Sequence, residues 1–71
     1  MSLSPAELRE LRDPGTLSVR LPLAQHALSM GATATYEAAR AGELVPGLPV
    51  LRVGRVYRVP AAPLRRLLGL E

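Results

Sequence analysis

The sequence predicts a small, mostly α-helical domain with one antiparallel β-hairpin, and three observations support this fold class. Three to four short stretches have the apolar spacing and the capping residues of helices. The stretch LRVGRVYRVP, Leu51 to Pro60, alternates apolar and basic residues around a glycine, which is typical of a two-stranded hairpin. A chain of 71 residues can build only one core.

The first helix is predicted from Pro5 to about Arg12. Ser4 is a suitable N-cap, Pro5 occupies the first helical position, and Glu7 completes a capping box. An Asp-Pro-Gly turn follows at 13–15. We therefore assign residues 1–18 to an N-terminal helix and linker, and residues 19–71 to the main domain.

A pair of helices follows. The second helix is predicted from Pro22 to about Leu28, with Ser29 in the bend. The third begins at Gly31 or Ala32 and runs to about Ala41, because Gly42 is a C-terminal stop. Helical spacing puts small residues on one side of the third helix, which can then approach its neighbour closely. These are Ala34, Thr35, Ala38 and Ala39; the opposite side carries Thr33, Tyr36, Glu37 and Arg40.

The region from Val45 to Pro49 holds two prolines and a glycine, which predicts an irregular connector into the hairpin. A three-residue loop at Gly54 would direct four apolar side chains to the core and leave Arg52 and Arg58 outside. Those four are Leu51, Val53, Tyr57 and Val59. A two-residue Gly54-Arg55 turn is the alternative, but it mixes the two faces, so we favour the three-residue loop.

The last helix begins near Pro60 to Pro63 and carries an apolar stripe of Leu64, Leu67 and Leu68, with Gly69 as its stop. The composition also excludes several classes of site. Without cysteine and with one histidine, the chain offers no disulfide framework and no zinc site, and we expect no metal or cofactor. No apolar stretch approaches the ~20 residues that span a bilayer, so we expect a cytoplasmic protein.

The basic charge is concentrated in the main domain. Residues 1–18 sum to −1 and residues 19–71 to +4, giving +3 for the chain, and all nine basic residues are arginine. Guanidinium groups suit bidentate contacts with phosphate and guanine. A bias towards GC-rich codons also explains the choice of arginine over lysine, but it does not explain the clustering.

These motifs resemble the excisionase-like small DNA-binding domains, which are related to the MerR-type winged helix-turn-helix. The resemblance covers roughly residues 19–70 and rests on three segments in a characteristic order. They are the bend Leu28-Ser29-Met30, the helix end Tyr36-Glu37-Ala38-Ala39-Arg40-Ala41-Gly42-Glu43-Leu44, and the wing Arg52-Val53-Gly54-Arg55-Val56-Tyr57-Arg58-Val59-Pro60. Ser29 stands where the family usually has glycine.

The resemblance implies double-stranded DNA as the partner, with the third helix in the major groove. Base and backbone contacts are then expected from Thr33, Tyr36, Glu37 and Arg40, and wing contacts from Arg52, Arg55 and Arg58. Arg20 is expected beside a phosphate. The alternatives are a solvated helix face for Glu37 and Arg40, a partly buried Tyr36, a plain surface charge for Arg20, and edge-strand protection by the wing arginines.

The leading expectation is a non-catalytic recombination directionality factor. The family implies cooperative binding through self-association along DNA, bending of attachment-site DNA, and assistance to a site-specific integrase of a prophage or mobile element, with nucleoid association through DNA. A small MerR-like transcriptional regulator and a protein-interaction adaptor are the alternatives. We do not expect an enzyme, because no nucleophile with a base and no carboxylate pair is evident.

Overall fold

The computed structural model describes residues 3–70, which form four helices and five short strands. In chain order these are α1 (Pro5–Arg12), β1 (Ser18–Arg20), α2 (Leu21–Leu28), α3 (Ala32–Ala41), β2 (Glu43–Val45), β3 (Leu48–Pro49), β4 (Leu51–Val53), β5 (Val56–Pro60) and α4 (Ala61–Leu68). About half of the chain is helical, and the strands pair in small antiparallel sheets. Residues 1, 2 and 71, at the outer ends of the two predicted segments, lie outside the described residues.

The helices begin and end close to the predicted residues. Ser4 Oγ accepts a hydrogen bond from the Glu7 N–H at 3.2 Å, and the Ser4 N–H donates to Glu7 Oε1 at 3.0 Å, so the predicted capping box is confirmed. The residues that end α2 and α3, Ser29 and Gly42, both adopt left-handed backbone angles. None of the four helices within residues 3–70 has the length and apolar character needed to cross a membrane.

Helix α1 packs on the same core as the rest of the molecule. Its Leu11 is fully buried, and α1 lies against α4. Arg65 of α4 donates from Nη1 to the Leu11 carbonyl at 3.0 Å, which satisfies an acceptor near the end of α1. At the other end of the helix, Glu7 Oε2 lies 2.9 Å from His26 Nδ1 on α2. The Ser4 backbone N–H, and after it the His26 side chain, hold the pKa of Glu7 below its ordinary value of 4.5.

The three-stranded sheet has the order β1-β5-β4. Strand β1 was not predicted, because three residues are too few to show an alternating pattern in the sequence. It pairs with β5 so that Val19 faces Val59, and both side chains are fully buried. Helices α2 and α4 cover this face of the sheet.

The prediction that the chain from Val45 to Pro49 is irregular was wrong. Strands β2 and β3 pair as a small hairpin, with Glu43 opposite Pro49 and Val45 opposite Leu48. The prolines and the glycine are compatible with this pairing, because Pro46 and Gly47 occupy the turn and Pro49 ends its strand. Gly47 has a φ of 87°, and its N–H donates to the Glu43 carboxylate at 3.2 Å.

The predicted three-residue loop between β4 and β5 was also wrong. Val53 pairs with Val56, so the turn contains only Gly54 and Arg55. The φ of Gly54 is 63° and that of Arg55 is not positive, which is the pattern of a type II′ turn with glycine at its first central position. Turn geometry has therefore overridden the burial of apolar side chains. Leu51 and Val53 are exposed instead of joining the core.

The register also separates the two arginines that were predicted to point outward together. Arg52 pairs with Tyr57 and Leu51 pairs with Arg58, so the two arginines lie on opposite faces of the hairpin. Arg52 is exposed, and Arg58 is half-buried.

Candidate functional site

Helix α3 presents a polar face to solvent. Thr33, Tyr36, Glu37 and Arg40 are all exposed, as their spacing predicted. Thr35 and Ala39 are buried on the opposite side and Ala38 is partly buried. The prediction that Ala34 also belongs to the packed side was wrong, because it is exposed. Small buried residues thus bring α3 close to the core while its larger side chains remain available for contacts.

Three residues, 29–31, connect α2 to α3, and the two helices contact each other. Thr35 Oγ1 donates to the Gly31 carbonyl at 2.8 Å, and the Thr35 N–H donates to the same oxygen at 3.0 Å. The buried hydroxyl therefore has a partner and fixes the first turn of α3. A short, hydrogen-bonded connection between two packed helices gives α3 a defined direction.

Tyrosine side chains connect α3 to the β4–β5 hairpin. The rings of Tyr36 and Tyr57 meet edge to face, with centroids 6.5 Å apart and planes at 66°. The Arg52 guanidinium lies over the Tyr57 ring, 5.8 Å from its centroid. This series of three side chains, which we call the Arg52–Tyr57–Tyr36 stack, joins the hairpin to the exposed face of the helix.

A hollow of about 240 Å³ opens between the start of α2, helix α3 and the hairpin turn. Its lining combines apolar and aromatic surface with two guanidinium groups. The residues are Arg20, Leu21, Pro22, Tyr36, Arg55, Val56 and Tyr57. Tyr36 of α3 and the tip of the hairpin therefore border one concave surface, whereas the other predicted contact residues of α3 do not line it.

The two arginines that line the hollow, and Arg40 on the exposed face of α3, are exposed to solvent. Within residues 3–70, the guanidinium groups of Arg20, Arg40 and Arg55 make no hydrogen bond or ion pair. The three-stranded sheet and its turn contain four arginines and no Asp or Glu. The three guanidinium groups without partners create a positive potential that attracts anions.

The other two hairpin arginines have internal partners. Arg58 donates from Nε to Ser18 Oγ and from Nη2 to the Ser18 carbonyl, both at 3.1 Å. These bonds join β5 to β1 and engage two nitrogens of the side chain that was expected to contact DNA from the wing. Arg52 donates from Nε to the Gly54 carbonyl at 3.1 Å, which braces the turn and leaves both terminal nitrogens of its guanidinium without a hydrogen bond in the described part of the chain.

The structure thus brings Arg20, Tyr36 and Arg55 together, while Arg58 lies in a different environment. Sequence reasoning assigned Tyr57 to the core and missed its role in connecting the hairpin to α3. The signal was present in the Gly-Arg turn, because a two-residue turn puts Tyr57 opposite Arg52. Within residues 3–70, no three His, Asp or Glu side chains are grouped to hold a metal ion.

The chain was compared with models of protein families, with curated proteins and with solved structures, and no match was found in any of the three comparisons.

Proposed function

We propose that this protein binds double-stranded DNA as a small winged helix-turn-helix domain. In this proposal α3 enters the major groove and the β4–β5 hairpin follows the neighbouring backbone or minor groove. The observation that carries the proposal is the shared hollow. The hollow brings Tyr36 of α3 next to the hairpin tip, beside the guanidinium groups of Arg20 and Arg55, which have no partner within residues 3–70.

The residues divide into two roles. Thr33, Glu37 and Arg40 are suited to base edges, since Arg pairs with guanine, Glu accepts from cytosine, and Thr contacts a thymine methyl or a phosphate. Arg20 and Arg55 are suited to phosphates or, for Arg55, to a narrow minor groove. We assign Arg58 to holding β1 against β5, because both of its hydrogen bonds go to Ser18.

The direct test is the salt dependence of binding to a fluorescent random-sequence duplex. Phosphate contacts from Arg20 and Arg55 give a slope of log K against log salt of about −1.8, and a third from Arg40 on the backbone gives about −2.7. Arg55→Gln is expected to make the slope shallower by about 0.9. Arg12→Gln on α1 is the matched control, because Arg12 is exposed but does not line the hollow. A wild-type slope of about −1 or shallower contradicts the proposal.

We further propose that the domain acts as an excisionase-type recombination directionality factor, as the family resemblance implies. A duplex site selected from a random library provides the substrate for a bending assay. Excision of a plasmid-borne element by an integrase, measured with and without the protein, then tests the role. Bending together with stimulated excision supports it. Site-specific binding that represses or activates a promoter without effect on excision favours the transcriptional regulator.

A further inference from the structure

Strand β4 lies at the edge of the three-stranded sheet, and its side chains are exposed. The sheet order β1-β5-β4 leaves one side of β4 without a neighbouring strand in the described part of the chain. Leu51 is 52% exposed and Val53 is 66% exposed, and Val56 beside them on β5 is 53% exposed. The strand alternation puts all three on the same face, opposite the face that carries Val59.

This arrangement departs from the usual pattern of a small antiparallel sheet. The face turned to solvent normally carries polar side chains, and an edge strand is usually short, charged or covered. Here the solvent face has an apolar strip, and an apolar patch rimmed by charged groups is typical of an interaction surface. The strip exists because the two-residue turn fixes the register that exposes Leu51 and Val53.

The backbone of β4 is available on the same edge. Val53 and Val56 close the two-residue turn and exchange backbone hydrogen bonds. The next pair, Arg52 and Tyr57, is therefore a non-hydrogen-bonded pair of the antiparallel ladder. The N–H and C=O of Arg52 therefore point away from β5, towards the open edge. Along this edge the side chains of Leu51, Arg52 and Val53 are apolar, basic and apolar.

We propose that β4 accepts an extended segment of a partner protein as an additional strand, and that this segment alternates apolar and acidic residues. A strand in antiparallel register would hydrogen-bond the open groups of Arg52. Its carboxylate would lie opposite the Arg52 side chain, and its apolar residues would pack beside Leu51 and Val53. Complementary charge selects the acidic segment, because the sheet and its turn carry four arginines and no acidic residue.

A second copy of this chain is not the occupant that the edge favours. Antiparallel pairing of two β4 strands through the outward groups of Arg52 would set one Arg52 directly opposite the other. Like charges in directly opposed positions destabilise a strand pair. Arg52 therefore protects the edge against self-pairing and at the same time selects an acidic partner.

This inference goes beyond DNA binding and does not depend on it. Leu51 and Val53 do not line the hollow between α3 and the hairpin, whereas Val56, the third residue of the strip, does. The two proposed surfaces therefore meet at Val56, and the outer edge of β4 lies outside the hollow.

The test uses the full chain labelled with ¹⁵N and two capped nine-residue peptides. One peptide alternates valine with glutamate, and the other has lysine in place of each glutamate. We expect the Val/Glu peptide to shift the amide resonances of residues 51–53 and to slow hydrogen exchange at the Arg52 amide. Equal shifts with both peptides, shifts confined to other residues, or no shifts at millimolar peptide overturn the proposal.

Variants make the test specific for charge. Arg52→Gln is expected to weaken binding of the Val/Glu peptide by up to about fivefold, the upper range for one cross-strand charge pair. Arg52→Glu is expected to reverse the preference towards the Val/Lys peptide. Arg12→Glu on α1 is the matched control and should leave the preference unchanged.

The competing occupants are examined on the same resonances. The proposal is overturned if residues 51–53 shift with protein concentration alone, which indicates a second copy. It is also overturned if a duplex DNA or phosphatidylglycerol vesicles shift these residues while the Val/Glu peptide does not.

Discussion

Ser29 carries backbone strain at the bend between α2 and α3. Its φ of 54° and ψ of 39° make it the one residue other than glycine with a positive φ within residues 3–70. A side chain in this conformation costs about 1–2 kcal/mol, and glycine avoids this cost in the folded state. Glycine also gives the unfolded chain more conformational freedom, which cancels part of the gain in stability. Ser29→Gly should therefore raise the free energy of unfolding by up to about 1 kcal/mol. Urea unfolding at 25 °C measures the change.

A glycine at an ordinary helical position gives the opposite sign and serves as the control. Thr33 is exposed on α3, and Thr33→Gly should lower the free energy of unfolding by about 0.5–1 kcal/mol. If both glycine variants destabilise the protein equally, relief of the strain at Ser29 does not outweigh the contribution of its side chain.

Glu7, which connects α1 to α2, makes the free energy of unfolding depend on pH in the acidic range. Because its pKa in the folded protein lies below its ordinary value of 4.5, the ionised form stabilises the fold above that pH. The contribution is lost as the pH falls through the folded-state pKa. Glu7→Gln should therefore destabilise the protein at about pH 5.5 and approach the wild type at about pH 3. Unfolding free energies at both pH values measure this convergence.

Glu10→Gln is the matched control for that measurement. It removes the same charge from α1, but the Glu10 side chain makes no hydrogen bond within residues 3–70. The explanation from hydrogen bonding at Glu7 is wrong if the two variants show the same dependence on pH.

At the scale of elements, α1 contributes to the core through Leu11. This side chain is fully buried, and truncation to alanine typically costs about 2–5 kcal/mol. A loss of that size is comparable with the whole stability of a small domain, so Leu11→Ala should show a large fall in urea midpoint or lose cooperative unfolding. Leu17→Ala is the control, since Leu17 is 83% exposed and its truncation should leave the midpoint almost unchanged. Equal effects of the two variants would mean that α1 does not share the core.

The helices could be predicted from sequence because local chemistry defines their ends. The capping box at Ser4 and the stop at Gly42 act within one turn, and both are present as expected. Strand β1 could not be predicted, because its partner, β5, is far away in the chain. The β2–β3 pairing was hidden for another reason: its turn residues, Pro46 and Gly47, are the same residues that indicate a connector.

The candidate site was predictable only in part. The exposed face of α3 follows from helical periodicity alone, and it includes Tyr36 and Arg40. The faces of the hairpin depend on whether the turn has two or three residues, and a change of one residue moves every side chain to the other face. For that reason the sequence did not predict the contact between Tyr36 and Tyr57, or the exposure of Val53.

At the scale of the whole molecule, the β4–β5 hairpin has two sides with different chemistry. Tyr57 faces the core side and connects to α3, whereas the β4 edge carries Leu51 and Val53 and remains open. The same type II′ turn produces both arrangements, because it fixes the register of the two strands. The proposed DNA surface and the proposed strand-binding edge therefore lie on the same hairpin and meet at Val56.

The Arg52–Tyr57–Tyr36 stack is expected to hold the hairpin in position for DNA. An aromatic pair is worth about 0.5–1.5 kcal/mol beyond its buried area, so Tyr57→Leu should lower affinity for duplex DNA by about two- to tenfold. The salt dependence should stay unchanged, because the number of phosphate contacts is the same. Val53→Thr, outside the hollow, should bind DNA like the wild type. Fluorescence anisotropy over a salt series measures both quantities. An unchanged affinity in Tyr57→Leu, or a shallower slope, would show that the stack does not position the hairpin.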